Sequence, residues 1–427
     1  MYILYSLLLA IALLVSLPWW MLRPGKYLAG IAERLGRVPD RLHGPAEPGC
    51  IWIHAVSVGE VLAVSHLVSE LSKSFPQRPV FLSTTTATGQ RLARASFGES
   101  RAFYVPLDLG VAVKAYLNVL RPGLLMLAET EFWPNLLRLA RKRGAAVAIV
   151  NARISDRSFP RYRRFRWFFS RVLAEVDLFL AQTDVDAQRL RDIGAATERV
   201  HVSGNLKFDV RGGAGSTLAE ELRRSIPSGS PAIVCGSTAE GEDELLLGAF
   251  QETLKNYPSA VMVLAPRHPE RFDRVGDLIQ ARGLTLVRRS AWTPTASPLT
   301  GCVFLLDSVG ELAAVYSVAS LAFVGGSLVP GVGGHNILEP AQYGVPVLTG
   351  PHTFNFREIV NIFQQGSGIV TVTSATLGGE WLRLLSDPGP RHKLGEAARE
   401  LFLNHSGATA RTLQALQPLL HRTIEKT

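Results

Sequence analysis

Cysteine is scarce in this chain of 427 residues: Cys50, Cys235 and Cys302 are scattered and share no CxxC spacing. That excludes a disulfide framework and a thiolate zinc site, and it fits a reducing compartment. No repeat at solenoid spacing and no low-complexity tract is present, which excludes a stacked-repeat architecture. Charge is missing altogether from residues 1–22. A cleaved secretory signal needs positive charge before its apolar run and a small-residue cleavage site after it, and both are lacking.

What is present suits an α/β protein. The length is enough for two or three domains, and 47% hydrophobic residues fit buried parallel strands. The net charge of +9 is unevenly placed. Residues 1–210 hold 27 Lys+Arg against 17 Asp+Glu, whereas residues 211–427 hold 18 against 19. The first half therefore faces something anionic, such as a phosphorylated lipid, a membrane surface or nucleic acid. Met1 to Val15 are almost wholly apolar, followed by Pro18, Trp19 and Trp20, then Arg23 and Lys26. The run is just long enough for a bilayer core of about 30 Å, and it predicts a single anchor over residues 1–22, with a tilted or interfacial helix as the alternative. Charges after the run put the body of the protein on the cytoplasmic side. Residues 157–171 interleave six arginines with six aromatics, a composition suited to anionic head groups. Beside an anchor, that stretch predicts anionic lipid and no nucleic acid as the partner.

After the anchor, apolar strand-like runs alternate with helical patterns. Ile51–Val56, Pro79–Ser83, Ala102–Val105, Leu124–Ala128, Ala146–Val150 and Leu178–Ala181 are the expected strands of a first doubly wound parallel sheet. The alternation restarts with Ala232–Cys235, Val261–Ala265, Leu284–Val287, Val303–Leu306, Leu321–Val324 and Pro346–Leu348. The expected division is a Rossmann-like domain over 23–208, a linker over 209–230 opened by Asp-Val-Arg-Gly-Gly-Ala-Gly, and a second Rossmann-like domain with a terminal helix over 231–427. Two such domains facing a cleft would bind ligands at the C-terminal ends of their strands.

Several motifs sit at those ends, and each has a plain reading beside the chemical one. Ser57-Val58-Gly59-Glu60 places Glu60 as a general base, or forms a capping box. Glu129 and Glu131 flank a strand-to-loop turn that can separate them, leaving one to orient a hydroxyl; acids ahead of a helix starting at Pro134 are also favoured by its dipole. Lys207 can neutralise a phosphate, or is a solvated edge lysine. Pro266-Arg267-His268 ends a strand with an arginine able to fork onto phosphate. The loop from Gly325 to Gly334 is glycine-rich where backbone would approach a ligand, and Asn336 can cap a following helix whose dipole favours an anion. Glu339, three residues into that helix, can accept from ribose hydroxyls. Asp184-Val185-Asp186 is an Asp-x-Asp pattern, better explained as a helix start than as a metal site.

Taken together these blocks resemble the 3-deoxy-D-manno-octulosonic acid (Kdo) transferases of lipopolysaccharide synthesis. The matching segments are Trp52–Glu60, Glu129–Asn135, Asn151–Ser155, Gly204–Lys207, Pro266–Phe272, Val309–Glu311, Gly325–Ser327, Gly333–Pro340 and Gly350–Phe356. The resemblance implies a GT-B fold and an inverting, metal-independent glycosyltransferase of the inner membrane. It implies no cofactor, a CMP-Kdo donor and lipid IVA as acceptor. It further implies that Glu60 is the proton acceptor, that Glu129 and Lys207 stabilise the transition state, and that Pro266, Arg267, His268, Val309, Gly310, Glu311, Asn336, Ile337, Leu338 and Glu339 contact the donor. A GT-B enzyme that uses a UDP-sugar and a lipid-linked acceptor is the alternative.

Overall fold

A computed structural model describes residues 1–21, 30–42, 49–209, 217–294 and 298–422. The chain folds as two compact units, 1–209 with 406–427, and 210–405. In the first, fully apolar runs such as Pro122–Ala128, buried along their whole length, become the middle of a seven-stranded parallel sheet. Its strands are β1 (Cys50–His54), β2 (Val80–Thr84), β3 (Ala102–Tyr104), β4 (Pro122–Ala128), β5 (Ala146–Ala152), β6 (Leu178–Ala181) and β7 (Val200–Val202), in the order β3-β2-β1-β4-β5-β6-β7.

The second unit repeats the plan. Its strands are β8 (Ala232–Thr238), β9 (Val261–Pro266), β10 (Thr285–Arg288), β11 (Cys302–Leu305), β12 (Leu321–Val324), β13 (Val347–Thr349) and β14 (Val370–Thr371), ordered β10-β11-β9-β8-β12-β13-β14. Every pairing in both sheets is parallel. The short strands β7 and β14 escape the sequence pattern because they are brief and, unlike the equally short β3 and β13, not buried along their length.

Two sequence expectations need correction, and a third is not met among the described residues. The terminal helix, Ala408–Arg422, belongs to the first unit. Its Leu416, Leu419 and Leu420 share a core cluster with Val61, Val64 and Leu67. Asp209 fixes this return by accepting from the backbone N–H groups of Gly407, at 2.6 Å, and Thr409. Within the expected linker, 210–216 lie outside the described residues, but Thr217–Ser225 is a helix whose Leu218 and Leu222 are buried in the second core.

The third concerns the N-terminal run. Among the described residues no helix is long and apolar enough to cross a membrane. Tyr2–Met21 is a helix, but it docks on the first unit through one side. Tyr2 donates its hydroxyl proton to Glu175 at 3.1 Å, Asn135 donates to Ser6 Oγ at 2.9 Å, and the Tyr5 ring lies 6.3 Å from that of Phe168. Ile3, Leu7, Leu8, Ile11, Leu14 and Val15 face outward and are exposed. The side chains of Trp19 and Trp20, and Arg23 and Lys26 entirely, lie outside the described residues. The arginine-rich stretch forms two short helices, Phe159–Arg164 and Arg166–Leu173. Their Tyr162, Phe168 and Phe169 pack against the core while Phe165 and Trp167 stay exposed.

Candidate functional site

In the first sheet the strand order reverses between β1 and β4. The crevice outside the carboxyl ends of strands at such a reversal is where open parallel sheets bind ligands. Glu60 and Glu129 both sit at these ends. Glu60 lies in the first turn of the helix Val58–Ser74 that follows β1. One carboxylate oxygen accepts from Val56 N–H at 2.8 Å and the other from the Ser57 hydroxyl at 3.0 Å. Ser57 is the N-cap residue, yet its side chain makes no capping bond to the backbone. The reciprocal capping box is therefore not formed; the serine serves the carboxylate instead. Burial pushes the Glu60 pKa up to about 7. The Val56 N–H opposes this, and the charges of Glu129 and Glu131 reinforce it. A carboxyl poised near neutrality is suited to take a proton.

Glu129 follows β4 with a φ of 55°, held there by its N–H bond to Val150 O at 2.9 Å. This left-handed turn breaks strand alternation and parts the two neighbouring acids. Glu129 Oε1 accepts from Lys207 Nζ at 3.1 Å, and Glu131 Oε2 accepts from the Trp133 indole at 2.9 Å. Lys207 is delivered by the 3₁₀ turn Leu206–Phe208. Asn151 Oδ1 accepts from Leu206 N–H at 2.9 Å and Asn205 Oδ1 from Lys207 N–H at 3.0 Å. Asn151, buried at the end of β5 with a φ of 54°, is thus the residue that positions the lysine. Its sequence signal is modest, an asparagine at a strand end, where this backbone conformation is tolerated. His54 completes the wall. Burial lowers its pKa to about 4, and its ring meets Trp133 edge-on at 5.4 Å.

In the second sheet the order reverses between β8 and β12. The glycine-rich loop leaves β12 and meets Glu242, a wholly buried residue in the first turn of the helix Glu242–Asn256. Its carboxylate accepts from the N–H groups of Gly326, Ser327 and Leu328 at 2.6, 2.8 and 2.7 Å, and from Ala239 N–H at 2.8 Å. These loop donors point inward, so they do not cradle a phosphate. A Cβ on Gly325 would come 2.6 Å from Thr238 Cα, so the close approach there serves loop packing. In the sequence Glu242 is not distinguished from the neighbouring acids Glu240, Asp243 and Glu244.

Arg267 follows Pro266, the last residue of β9, and its side chain is exposed. Its charge still reaches Glu339 and His335. Glu339 is half-buried, and this desolvation raises its pKa; the Asn336 amide, donating at 3.4 Å, and Arg267 act in the other direction. Asn336 Oδ1 accepts from Leu338 N–H at 3.2 Å. The helix that follows, Leu338–Ala341, is a single turn. The dipole expected to favour an anion there is consequently short, and Arg267 adds positive charge at this end of the sheet. Ile337 and Leu338 are buried in the core. His268 is exposed, with its Nδ1 3.9 Å from Glu270. After β11, the neighbour of β9, Val309 is exposed and Gly310 has a φ of 95°. Glu311 accepts from two nitrogens of Arg289, each at 3.2 Å, and from the Ser308 hydroxyl.

The Asp184-Val185-Asp186 motif has a structural role. Asp186 accepts from Ile154 N–H at 2.9 Å and from the Thr183 hydroxyl at 2.6 Å, which fixes the start of the helix Asp184–Asp192. Thr238 donates to Asp243 at 2.6 Å.

The profile of the 3-deoxy-D-manno-octulosonic-acid transferase (kdotransferase) family matches residues 29–210. A 3-deoxy-D-manno-octulosonic acid transferase of Haemophilus influenzae is 36% identical over 409 residues, 93% of each chain. One from Bordetella pertussis is 37% identical over 434 residues, covering 96% of this chain and 98% of its own. The crystal structure of Acinetobacter baumannii MurG matches with a TM-score of 0.53 at 12% identity, over 87% of this chain and 100% of that one. That likeness bears on the fold alone, and with the two parallel-sheet units it identifies the GT-B type. Identity above a third along nearly the whole chain, with Glu60, Glu129 and Lys207 gathered at one switch point, places the chain in the 3-deoxy-D-manno-octulosonic acid transferase family of glycosyltransferases.

Proposed function

We propose that the enzyme transfers Kdo from CMP-Kdo to lipid IVA with inversion. The observation that carries the mechanism is the placement of Glu60, half-buried at the β1–β4 switch point, with its carboxylate held by Val56 N–H and the Ser57 hydroxyl; burial raises its pKa to about 7. Glu60 removes the proton from the acceptor hydroxyl as that oxygen bonds to the anomeric carbon of Kdo. The carbon–oxygen bond to CMP breaks, and its electron pair leaves with the phosphate. Lys207, held against Glu129, adds positive charge beside the reacting groups. The second unit takes the nucleotide: Arg267 meets the phosphate, and Glu339 with the Val309–Glu311 loop contacts the nucleoside. The direct test is mass spectrometry of lipid IVA incubated with CMP-Kdo and the enzyme, expected to show product heavier by Kdo. No product, or equal thermal stabilisation by UDP and CMP, refutes the donor assignment.

The reading is metal-independent, since Asp186 is engaged by Thr183 and Ile154. Transfer is expected to proceed unchanged in EDTA. A loss restored by magnesium or manganese would return Asp184 and Asp186 to consideration.

We place the enzyme on the cytoplasmic face of the inner membrane, with Tyr2–Met21 lying in the interface. A one-sided apolar stripe supports that placement. Changing Ile3, Leu7 and Leu14 to Ser is expected to release the protein into the soluble fraction while its melting temperature stays within a degree or two. Continued sedimentation with membranes would overturn the interfacial role.

A further inference from the structure

Between the helices Gly110–Leu120 and Pro134–Lys142 lies a groove of about 430 Å³. Lys114, Arg138, Lys142 and Arg143 line it, with Gly110, Asn135 and Leu139, and no acid does. Its size is that of a small-molecule pocket, roughly 300–1,000 Å³. Two neighbouring carboxylates are already engaged. Asp108 accepts from Asn135 and Leu136 N–H at 2.9 and 2.8 Å, and Glu175 accepts from the Tyr2 hydroxyl.

The groove is continuous with the docked N-terminal helix. The Arg138 guanidinium lies 4.5 Å over the Tyr2 ring, and Asn135, in the groove wall, donates to Ser6. Thus an outward apolar stripe and a concentrated positive pocket share one surface. A free anion explains the pocket but not the stripe. An acidic protein would leave exposed aliphatic residues such as Ile3 and Leu7 without an apolar counterpart. A lipid surface satisfies both, with acyl chains under the stripe and phosphate in the groove.

We propose that this groove binds the phosphate head group of an anionic phospholipid and so sets the orientation of the enzyme on the bilayer. The inference rests on the interfacial reading of the N-terminal helix, and it is independent of which sugar is transferred.

The test compares the full chain with its Lys114→Ser/Lys142→Ser variant on vesicles of phosphatidylcholine, with and without phosphatidylglycerol. At about 1 kcal/mol for each basic side chain at an anionic surface, the variant should bind mixed vesicles about thirtyfold more weakly. Vesicles of phosphatidylcholine alone should bind both proteins equally. Lys255→Ser/Lys393→Ser makes the same charge change in the second unit and should bind like the parent. An equal loss there would show diffuse attraction and overturn the site. Monomeric short-chain phosphatidylglycerol should shift the amide resonances of Lys114 and Lys142 in the parent, whereas inorganic phosphate at the same concentration should not. Equal shifts by phosphate would mark a plain anion site. In neutral detergent, a raised acceptor KM for the double variant would assign the groove to the acceptor's own phosphates and refute the phospholipid assignment. A failure of Kdo transfer by the parent would overturn the proposed reaction without touching the vesicle result.

Discussion

Glu60→Gln is expected to lower Kdo transfer by about 10²–10⁴-fold, the usual loss when a general base is removed, while CMP affinity is retained. The parent enzyme should show kcat/KM rising about tenfold per pH unit below about 7 and levelling above it, since only the ionised carboxyl accepts the proton. The variant should lack this limb. Stability supplies a second and opposite signal. The folded state holds a proton on Glu60 between its ordinary value and about 7, and the unfolded chain releases it. Stability therefore falls as pH rises through that window. Ionising the half-buried carboxyl costs the fold about 3 kcal/mol, so Glu60→Gln should melt higher than the parent at pH 8 and show a smaller difference at pH 5. A residue that only capped its helix would behave in reverse: the variant would melt lower at both pH values and turn over normally. Parallel rate profiles and melting curves decide between the two.

The alternation of buried apolar runs with helical patterns carries most of the architecture, because parallel strands covered on both faces must be apolar along their length. Leu124–Ala128 and Leu321–Val324 are legible for that reason. The return of the terminal helix to the first unit is not, because it depends on Asp209 meeting Gly407 and Thr409 about two hundred residues away, and no periodicity encodes such a pairing. The N-terminal run is hard to read for a related cause. Its composition reads as an anchor, but Tyr2, Tyr5 and Ser6 lie on one side and find partners on the globular domain. At the site, Glu60 and Lys207 are legible from strand-end motifs. The separation of Glu129 from Glu131 is legible as a strand-to-loop turn, but the left-handed backbone at Glu129 that makes it is not, because glutamate does not advertise that conformation. Asn151 and Glu242 act on backbone N–H groups of distant segments, so their importance emerges only once the chain is folded.

Glu242→Ala is expected to have the largest effect on stability. Four backbone N–H groups now directed at one buried carboxylate would lose their acceptor. At about 1–3 kcal/mol for each unsatisfied buried donor, the second unit should be destabilised by more than about 4 kcal/mol, a range that few single substitutions reach. Glu242→Gln keeps one acceptor oxygen but turns an amide NH₂ toward the remaining donors, so it should fall between the two. That intermediate variant is the informative one for function. It should fold, and it should weaken CMP binding while leaving the Glu60 pH limb unchanged, because the loop after β12 lies at the sheet end proposed to take the nucleotide and Glu60 lies in the first unit. Glu244→Ala, an exposed neighbour on the same helix, should stay within about 0.5 kcal/mol of the parent. Denaturant titration of the three variants, with calorimetric CMP titration of Glu242→Gln, provides the measurement. If Glu242→Ala unfolds within about 1 kcal/mol of the parent, the loop is held by its other contacts, such as the Gly334 N–H bond to Gly326 O at 2.7 Å, and Glu242 is not its organiser.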